Sequence, residues 1–264
     1  MAQTNQPRRP ARKKKRTQRR LLLLPALLLA AFVLLRMSDG APERNPLSPE
    51  DFTTAGGYVT CTAVPTRRGV DVSQYQEQID WKQVHAAGFD FAFIRIGYRG
   101  STTGALYEDP LARQNLTGAK AAGLDVGVYF YSQATTPEEA AEEARWCLEF
   151  LGDAALELPV VYDWEWVGDD ARTANMDRQT LTQCAQTFCQ TIEEAGRRSM
   201  LYFNRHVSRE LLDLRALRDY PFWFAQYAQA LDYSYRVDFW QYTETGTVPG
   251  IPGKVDINLM FLYE

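Results

Sequence analysis

A pair of acidic residues, Asp163 and Glu165, follows an apolar run and alternates with two tryptophans in residues 160–166. Because successive side chains of a β-strand point to opposite faces, both carboxyl groups are expected on the same face. Two carboxyl groups side by side in apolar surroundings are costly to ionise together, so one should hold its proton near neutral pH. Such a pair can protonate a glycosidic oxygen while the other carboxylate stabilises the positive charge that develops on the sugar.

An exposed strand end with solvated or ion-paired acids is the alternative explanation of this motif. The preceding apolar run and the interleaved tryptophans favour the catalytic interpretation. Two further acids lie in predicted strands, Asp71 in the first and Asp256 at the start of the last. If the sheet closes into a barrel, these two strands adjoin, so both carboxyl groups would face the same pocket. Taken alone, either acid could instead be a turn or capping residue.

Aromatic residues recur at the ends of the predicted strands, where flat apolar rings with polar tips would suit sugar rings. Core packing is the alternative role for each of them. We take six residues as substrate-binding candidates: Tyr129, Tyr131, Tyr202, Trp223, Tyr227 and Gln241. Trp240 and Tyr242 belong to the same aromatic pattern. The only histidines are His85 and His206 and no Cys-x-x-Cys motif is present, so we expect neither a zinc site nor any other cofactor.

Apolar runs rich in Val, Ile, Phe and Tyr alternate with stretches of helical period. Strands are predicted at 68–73, 91–98, 124–132, 158–166, 199–204, 221–227, 237–242 and 255–261. Helices are predicted at 81–87, 110–122, 137–151 and 177–195. Strand and helix in alternation indicate an α/β fold with a parallel sheet. The last three strands leave little room for helices, which predicts an irregular, flattened (β/α)-barrel resembling an incomplete TIM barrel, with its site at the carboxyl ends of the strands.

The N-terminal region differs in charge from the rest of the chain. Residues 1–20 contain nine Lys or Arg and no acid, whereas the remainder has 20 basic and 33 acidic residues, a net charge of about −13. This acidic body argues against nucleic acid as a partner. Residues 21–35 carry no charge, so we predict a cytoplasmic tail (1–20) and an exporting segment (21–36). That segment is either a short membrane anchor or a cleaved signal.

Four prolines and two glycines in residues 41–66 suggest an extended tether, so we assign 37–66 to an extracytoplasmic linker and 67–264 to the catalytic domain. The part predicted to be exported contains four cysteines, Cys61, Cys147, Cys184 and Cys189. The sequence allows either disulfides or free thiols for them. Cys184 and Cys189 lie five apart in a predicted helix and point away from each other, so they should not pair.

Several short motifs, taken in order along the chain, resemble glycoside hydrolase family 25. They are RGVDVS (68–73), IDW (79–81), GVYF (127–130), YDWE (162–165), WFAQY (223–227), WQY (240–242), VPGI (248–251) and VDIN (255–258). The resemblance implies a lysozyme that cleaves the β-1,4 bond between N-acetylmuramic acid and N-acetylglucosamine in peptidoglycan, acting as a monomer. It implies Glu165 as general acid, Asp163 as its neighbouring carboxylate, and Asp71 and Asp256 as the remaining acids of the pocket.

One departure from the family pattern follows the second strand. Many members have a Lys-x-Ser/Thr-Glu-Gly run there, whereas this chain reads RIGYRG at 95–100, without the glutamate. The sequence therefore does not determine the shape of one wall of the pocket. Two alternatives also remain: a chitinase-like or glucosaminidase-like glycosidase, in which an Asp-x-Glu pair serves the same chemistry, and an inactive module that only binds cell wall. We further expect retention of configuration with assistance from the substrate's acetamido group, and Asp163 either orients that group or stabilises the charge at the anomeric carbon directly.

Overall fold

Residues 1–2 and 40–263 are described in the computed structural model of the chain. The predicted apolar segment (21–36), and all but the first two residues of the basic tail (1–20), lie outside them. Within the described residues, no helix is both long and apolar enough to cross a bilayer. The chain divides into two units, 1–40 and 41–264, and the second contains the predicted catalytic domain.

The strands and helices of this unit follow the predicted alternation. The strands are β1 (Phe52–Ala55), β2 (Tyr58–Cys61), β3 (Thr66–Val72), β4 (Phe91–Arg99), β5 (Leu106–Glu108), β6 (Asp125–Ser132), β7 (Val160–Trp164), β8 (Ser199–Asn204), β9 (Phe222–Ala225), β10 (Phe239–Gly246) and β11 (Val255–Phe261). The helices are α1 (Trp81–Ala86), α2 (Ala112–Ala121), α3 (Pro137–Leu151) and α4 (Arg178–Glu194). Each helix lies within two residues of its predicted bounds.

Eight strands close a barrel in the order β3, β4, β6, β7, β8, β9, β10, β11, and β11 returns to pair with β3. The strands from β3 to β10 are parallel, whereas β11 is antiparallel to both of its neighbours. All four α-helices lie between β3 and β8, and none follows β8 among the described residues. The prediction of an irregular α/β-barrel is confirmed, because the only helical segment described after β8 is a short π-helical turn, Val207–Leu211.

Helix α3 shows how local sequence fixes an element's start. The Thr136 side chain accepts a hydrogen bond from the Glu139 amide, and Pro137 occupies the first turn. Proline suits this position because its missing N–H would be unpaired there anyway. Glu138 and Glu139 add negative charge at the positive end of the helix dipole.

Aromatic side chains fill the barrel interior below the carboxyl ends of the strands. Phe91, Phe93 and Phe239 contact one another edge to face, and Trp223 stacks on Phe93 with ring centroids 4.6 Å apart. The ring of Phe91 packs directly against Gly69, where a Cβ would overlap it. The rings fill the barrel interior below its carboxyl end.

Residues 41–66 are not the extended tether that their prolines and glycines predicted. Strands β1 and β2 form an antiparallel hairpin, and its turn places Gly56 and Gly57 at positive φ. Phe52 packs edge to face on Trp240 with centroids 5.1 Å apart, and Val59 is buried. Gly56 and Gly57 therefore form the turn of a hairpin and not a flexible linker, because Phe52 and Val59 on its two strands hold the hairpin in place.

The four cysteines are free thiols. Cys147, Cys184 and Cys189 are buried, and Cys61 is partly buried. The prediction that Cys184 and Cys189 do not pair is confirmed. Burial raises the pKa of the Cys184 thiol to about 12, so this side chain packs as an apolar group.

Candidate active site

A cavity of about 280 Å³ opens at the carboxyl ends of the parallel strands. It brings together the four predicted acids, Asp71, Asp163, Glu165 and Asp256. All six substrate-binding candidates line it as well: Tyr129, Tyr131, Tyr202, Trp223, Tyr227 and Gln241. The structure therefore brings all ten candidate residues together around one cavity.

Alternation along β7 directs its two acids into the barrel. Val161 belongs to the apolar cluster inside the barrel, and Asp163 and Glu165 continue that face towards the cavity. Tyr162 and Trp164 point outward into the layer between strands and helices, where Tyr162 contacts Phe188 of α4. The aromatic residues thus anchor the strand on its outer side while the carboxyl groups face the cavity.

The second pair of acids meets at the seam where the barrel closes. Asp71 of β3 lies directly opposite Asp256 of β11 in the antiparallel register. Because β11 runs opposite to the other strands, its first residues lie beside the last residues of β3. An acid at the start of β11 therefore reaches the same end of the barrel as an acid at the end of β3.

Asp71 is held by a fixed network of amide donors. Its Oδ2 accepts hydrogen bonds from Gln241 Nε2 at 2.9 Å and from Asn258 Nδ2 at 2.7 Å. Both amides are oriented from behind, since Tyr202 Oη donates to Gln241 Oε1 at 2.9 Å and Trp223 Nε1 donates to Asn258 Oδ1 at 2.8 Å. Each ring therefore turns the NH₂ group of one amide towards the carboxylate.

The Asp163 carboxyl group lacks such support. Its Oδ1 is buried and has no hydrogen-bond partner among the described residues. Buried polar atoms are nearly always paired in folded proteins, so an unpaired carboxyl oxygen at a cavity wall indicates a place for a ligand donor.

Gln133 holds the backbone at Glu165. This buried side chain donates from Nε2 to the Glu165 carbonyl at 3.0 Å and accepts from Thr173 Oγ1 at 2.7 Å. Arg172 in turn donates to the Gln133 carbonyl and pairs with Glu139 of α3. The segment that carries Glu165 is therefore tied to α3 although its carboxyl group faces open space.

Burial raises the pKa of Asp71, Asp163, Glu165 and Asp256, and repulsion between these acids adds to the increase for the last three. Desolvation, followed by the charge of Asp71, raises the pKa of Glu165 to about 7 and that of Asp256 to about 9. Desolvation also raises the pKa of Asp71, but the hydrogen bonds from Asn258 and Gln241 limit the increase to about 6. The pKa of Asp163 lies well above its usual range because of burial and the charges of Glu165 and Asp71.

These directions change the expected distribution of charge. The sequence suggested that Asp163 remains negative beside a protonated Glu165. In the structure, Asp71 is the acid whose negative charge is best supported, because amide donors face it. Protonated Asp256 hydrogen-bonds to Asp71 and adds to that support. Asp163, whose pKa lies well above its usual range because of burial and neighbouring charges, should instead hold a proton near neutral pH.

The aromatic candidates take different parts in the cavity. Tyr227 is half exposed at the rim, where its ring is open to a ligand. Trp223 is only 1% exposed, with Phe93 stacked on its ring and its N–H bonded to Asn258, so it orients the site rather than offering a sugar platform. Trp240 and Tyr242 do not line the cavity, because alternation along β10 turns them to the outer side.

Sequence reasoning missed several cavity residues. Arg95 faces the acids from β4, anchored to buried Asp109 by a 2.9 Å hydrogen bond, and its guanidinium lies over the ring of Tyr75. These residues build the wall that the departure after the second strand left open. A charged residue in an apolar strand was the available signal for Arg95.

Glu244 and Asn258 were also missed as site residues. Glu244 lies on the part of β10 that extends beyond its predicted end at residue 242, so the prediction gave it no place in the barrel. Asn258 is fully buried in β11, and a buried amide within an apolar strand was a usable signal. Among the described residues, no group of three or more His, Cys, Asp or Glu side chains is arranged to hold a metal ion.

Comparisons with known proteins agree with this geometry. The chain is 27% identical over 206 residues to the uncharacterized protein YegX of Escherichia coli K12, covering 74% of this chain and 69% of that protein. It is 26% identical over 194 residues to the autolytic lysozyme of Clostridium acetobutylicum, covering 72% and 55%. The structure of the modular autolysin LytC from Streptococcus pneumoniae, in complex with a synthetic peptidoglycan ligand, superposes with a TM-score of 0.68 at 24% identity.

The match to LytC covers 80% of this chain and 52% of LytC, so the chain spans about half the length of that protein. This likeness concerns the fold. The sequence profile of glycosyl hydrolases family 25 matches residues 70–251, which include Asp71, Asp163 and Glu165. The match extends over most of the barrel and contains six of the eight motifs in full, with the RGVDVS motif included from residue 70 and VDIN (255–258) beyond its end. The chain therefore belongs to the glycosyl hydrolases family 25.

Proposed function

We propose that the protein is a lysozyme that hydrolyses the β-1,4 bond between N-acetylmuramic acid and N-acetylglucosamine in peptidoglycan. The observation that carries this proposal is that Glu165, whose pKa burial raises to about 7, lies beside Asp163 and its unpaired Oδ1 in one cavity. Membership of a glycosidase family supports hydrolysis of a glycosidic bond. The autolytic lysozyme relative and the peptidoglycan ligand bound to LytC support the substrate.

In the first step, Glu165 donates its proton to the glycosidic oxygen. Its raised pKa keeps that proton in place near neutral pH, and the leaving sugar hydroxyl needs it because an alkoxide is a poor leaving group. The positive charge that develops at the anomeric carbon is stabilised by the carboxylates of the cavity, Asp71 above all. Glu165, now ionised, then acts as the base that activates water.

The role of Asp163 follows from its position beside Glu165 at the cavity wall. Both sugars of peptidoglycan carry an acetamido group, whose N–H would pair with the Asp163 carboxyl group. That hydrogen bond would direct the acetamido oxygen towards the anomeric carbon, so the substrate itself would serve as nucleophile. The outcome is retention of configuration, and we propose retention on this ground.

We also propose that residues 1–36 deliver this domain to the outer side of the membrane, where its substrate lies. The proposal is supported by nine basic residues ahead of an uncharged run of fifteen. Protease added to intact protoplasts should digest the domain. A domain protected from that protease would refute the proposed location.

The experiment for the function is digestion of purified peptidoglycan by the protein and by Glu165→Gln, followed by reduction of the new sugar ends with borohydride. We expect the wild-type protein to clear the suspension and to release muramitol. Release of glucosaminitol would instead assign a glucosaminidase-like activity. Binding without clearing would assign a wall-binding module. Proton NMR of fresh product reads the anomeric configuration, and an α-anomer as first product would contradict retention.

A further inference from the structure

A second cavity, of about 340 Å³, lies away from the catalytic one. Four exposed arginines stand around it, and we refer to it as the arginine pocket: Arg44, Arg178, Arg209 and Arg215. Tyr233 and Tyr235 line it as well. It shares no lining residue with the catalytic cavity.

The charge of this pocket is unlike that of the domain around it. Residues 41–264 contain 19 basic and 32 acidic residues, a net charge of about −13. The arginine pocket has four arginines and a single acid, Asp213. None of the four guanidinium groups forms an ion pair within the described part of the chain, whereas eleven other ion pairs are present there. Four uncompensated cations around one cavity indicate an anionic partner.

Backbone hydrogen bonds fix the walls of the pocket. Arg44 forms an antiparallel bridge with Tyr235, flanked by a 3.1 Å bond from the Asn45 amide to the Ser234 carbonyl. Arg178, at the start of α4, donates to the carbonyls of Arg209 and Glu210. The arginines are thus brought together from three separate segments, and the pocket does not depend on one mobile loop.

The position of the pocket along the chain indicates which anion lies near it. Arg36 ends the predicted membrane segment, and Pro42 already lines the pocket. Six residues span at most about 20 Å even when fully extended. If the segment is retained as an anchor, the pocket therefore lies close to the bilayer surface. Tyrosine and arginine side chains are well suited to that surface, because the first prefers the headgroup level and the second pairs with phosphate.

We propose that the arginine pocket docks the domain onto the phosphodiester headgroups of anionic phospholipids in the membrane that holds residues 21–36. The proposal rests on the predicted anchor and is independent of the proposed catalytic function. Docking would fix the orientation of the barrel relative to the membrane, and it would weaken as salt screens the charges.

The test uses the full chain reconstituted in nanodiscs of phosphatidylcholine, with or without phosphatidylglycerol. Phenylglyoxal modifies accessible guanidinium groups, and mass spectrometry reads its rate at each arginine. We expect several-fold slower modification of Arg44, Arg209 and Arg215 in the anionic discs. Arg145 of α3 is the internal control, since it is also exposed and without an ion pair, and its rate should be the same in both discs.

A charge variant tests whether the pocket acts as a unit. In Arg209→Ser/Arg215→Ser, the protection of Arg44 by anionic lipid should be lost, while Arg145→Ser should leave it intact. Hydrolysis of soluble wall fragments should be unchanged in both variants, because neither touches the catalytic cavity.

Three outcomes would overturn the proposal. Equal modification rates in the two kinds of disc would show that lipid charge does not reach the pocket. Failure of the full chain to remain with the discs would remove the proximity on which docking depends. Equal protection by soluble poly(glycerol phosphate) in neutral discs would assign the pocket to a wall polymer instead of the membrane.

Discussion

The Asp163 and Glu165 pair on β7 and the Asp71 and Asp256 pair at the β3–β11 seam share one cavity but differ in their partners. The seam pair is surrounded by oriented donors, from Gln241 and its neighbours. The β7 pair faces open space, and Asp163 has an unpaired oxygen. The comparison teaches that one half of the site is organised before substrate arrives, whereas the other half is left for the substrate to complete.

The largest expected effect is that of Glu165→Gln. The amide is nearly isosteric, so the barrel should fold and bind glycan, but no proton can reach the leaving oxygen. General acid catalysis contributes about 10²- to 10⁴-fold, and we expect a loss of turnover in the upper part of that range. The measurement is the pH profile of wall-fragment hydrolysis, in which the basic limb set by Glu165 should disappear. A folded variant that keeps more than about a tenth of the parental rate would falsify the assignment of the acid.

Asp163→Asn should rank next. It replaces the carboxyl group proposed to orient the acetamido group with a neutral amide of the same shape, and loss of one such group at a developing charge costs about 10²- to 10³-fold in turnover. Comparing kcat and KM on wall fragments separates this from weakened binding, since we expect kcat to fall more than KM rises. Near-normal kcat in the folded protein would show that the open half of the site works without Asp163.

Gln241→Met tests the preorganised half. It deletes a donor to Asp71, so the pKa of Asp71 should rise further and the acidic limb of the rate profile should move to higher pH. A hydrogen bond to a charged group is worth about 1.5 to 3 kcal/mol, which corresponds to about one to two pH units as an upper bound. Tyr227→Phe is the matched control, because it removes only a 3.4 Å contact with Gln241 Oε1. If the acidic limb does not move in Gln241→Met, ionisation of Asp71 does not set that limb.

Asp256→Asn should change stability more than rate. The folded state raises the pKa of Asp256 to about 9 from 3.8, so folded protein holds a proton that unfolded protein releases. The resulting stabilisation is complete below about pH 4 and is lost as the pH rises towards 9. An amide cannot lose that proton, so the variant's Tm should fall less steeply between pH 5 and pH 9 than that of the parent. Parallel Tm curves would contradict the raised pKa.

Glu244→Gln should have the smallest effect. The charge of Glu244, on the cavity wall, helps to raise the pKa of Glu165, after burial and Asp71. Its removal should move the basic limb to lower pH by less than about one unit, with little change in maximal rate. A shift to higher pH would reverse the sign of the interaction and exclude this electrostatic role.

Local rules predicted the elements and the β7 pair well. The start of α3 follows from its capping residues, and the shared face of Asp163 and Glu165 follows from alternation alone. The contact between Asp71 and Asp256 needed a further condition, closure of the barrel. The sequence could suggest it only by treating the first and last strands as neighbours.

Other features depended on long-range packing that local patterns do not encode. Trp223 is of a residue type that can stack on a sugar ring, but Phe93, more than a hundred residues earlier in the chain, covers its face. The hairpin formed by β1 and β2 was predicted to be a tether because of its glycines. The local sequence did not reveal that Phe52 packs on Trp240 of β10. Lone polar residues in apolar strands, such as Arg95 and Asn258, were the best unused signals.

The antiparallel strand β11 gives the enzyme a particular order of assembly. Asp71 lies on the first strand of the barrel, yet its donors Gln241 and Asn258 lie on the last two. A chain whose last two strands have not yet paired therefore lacks the donors that support the Asp71 carboxylate. Joining such distant segments closes a long loop and slows folding. Hydrolysis should consequently begin only once β11 has paired with β3. Completion of the barrel would then determine when activity starts.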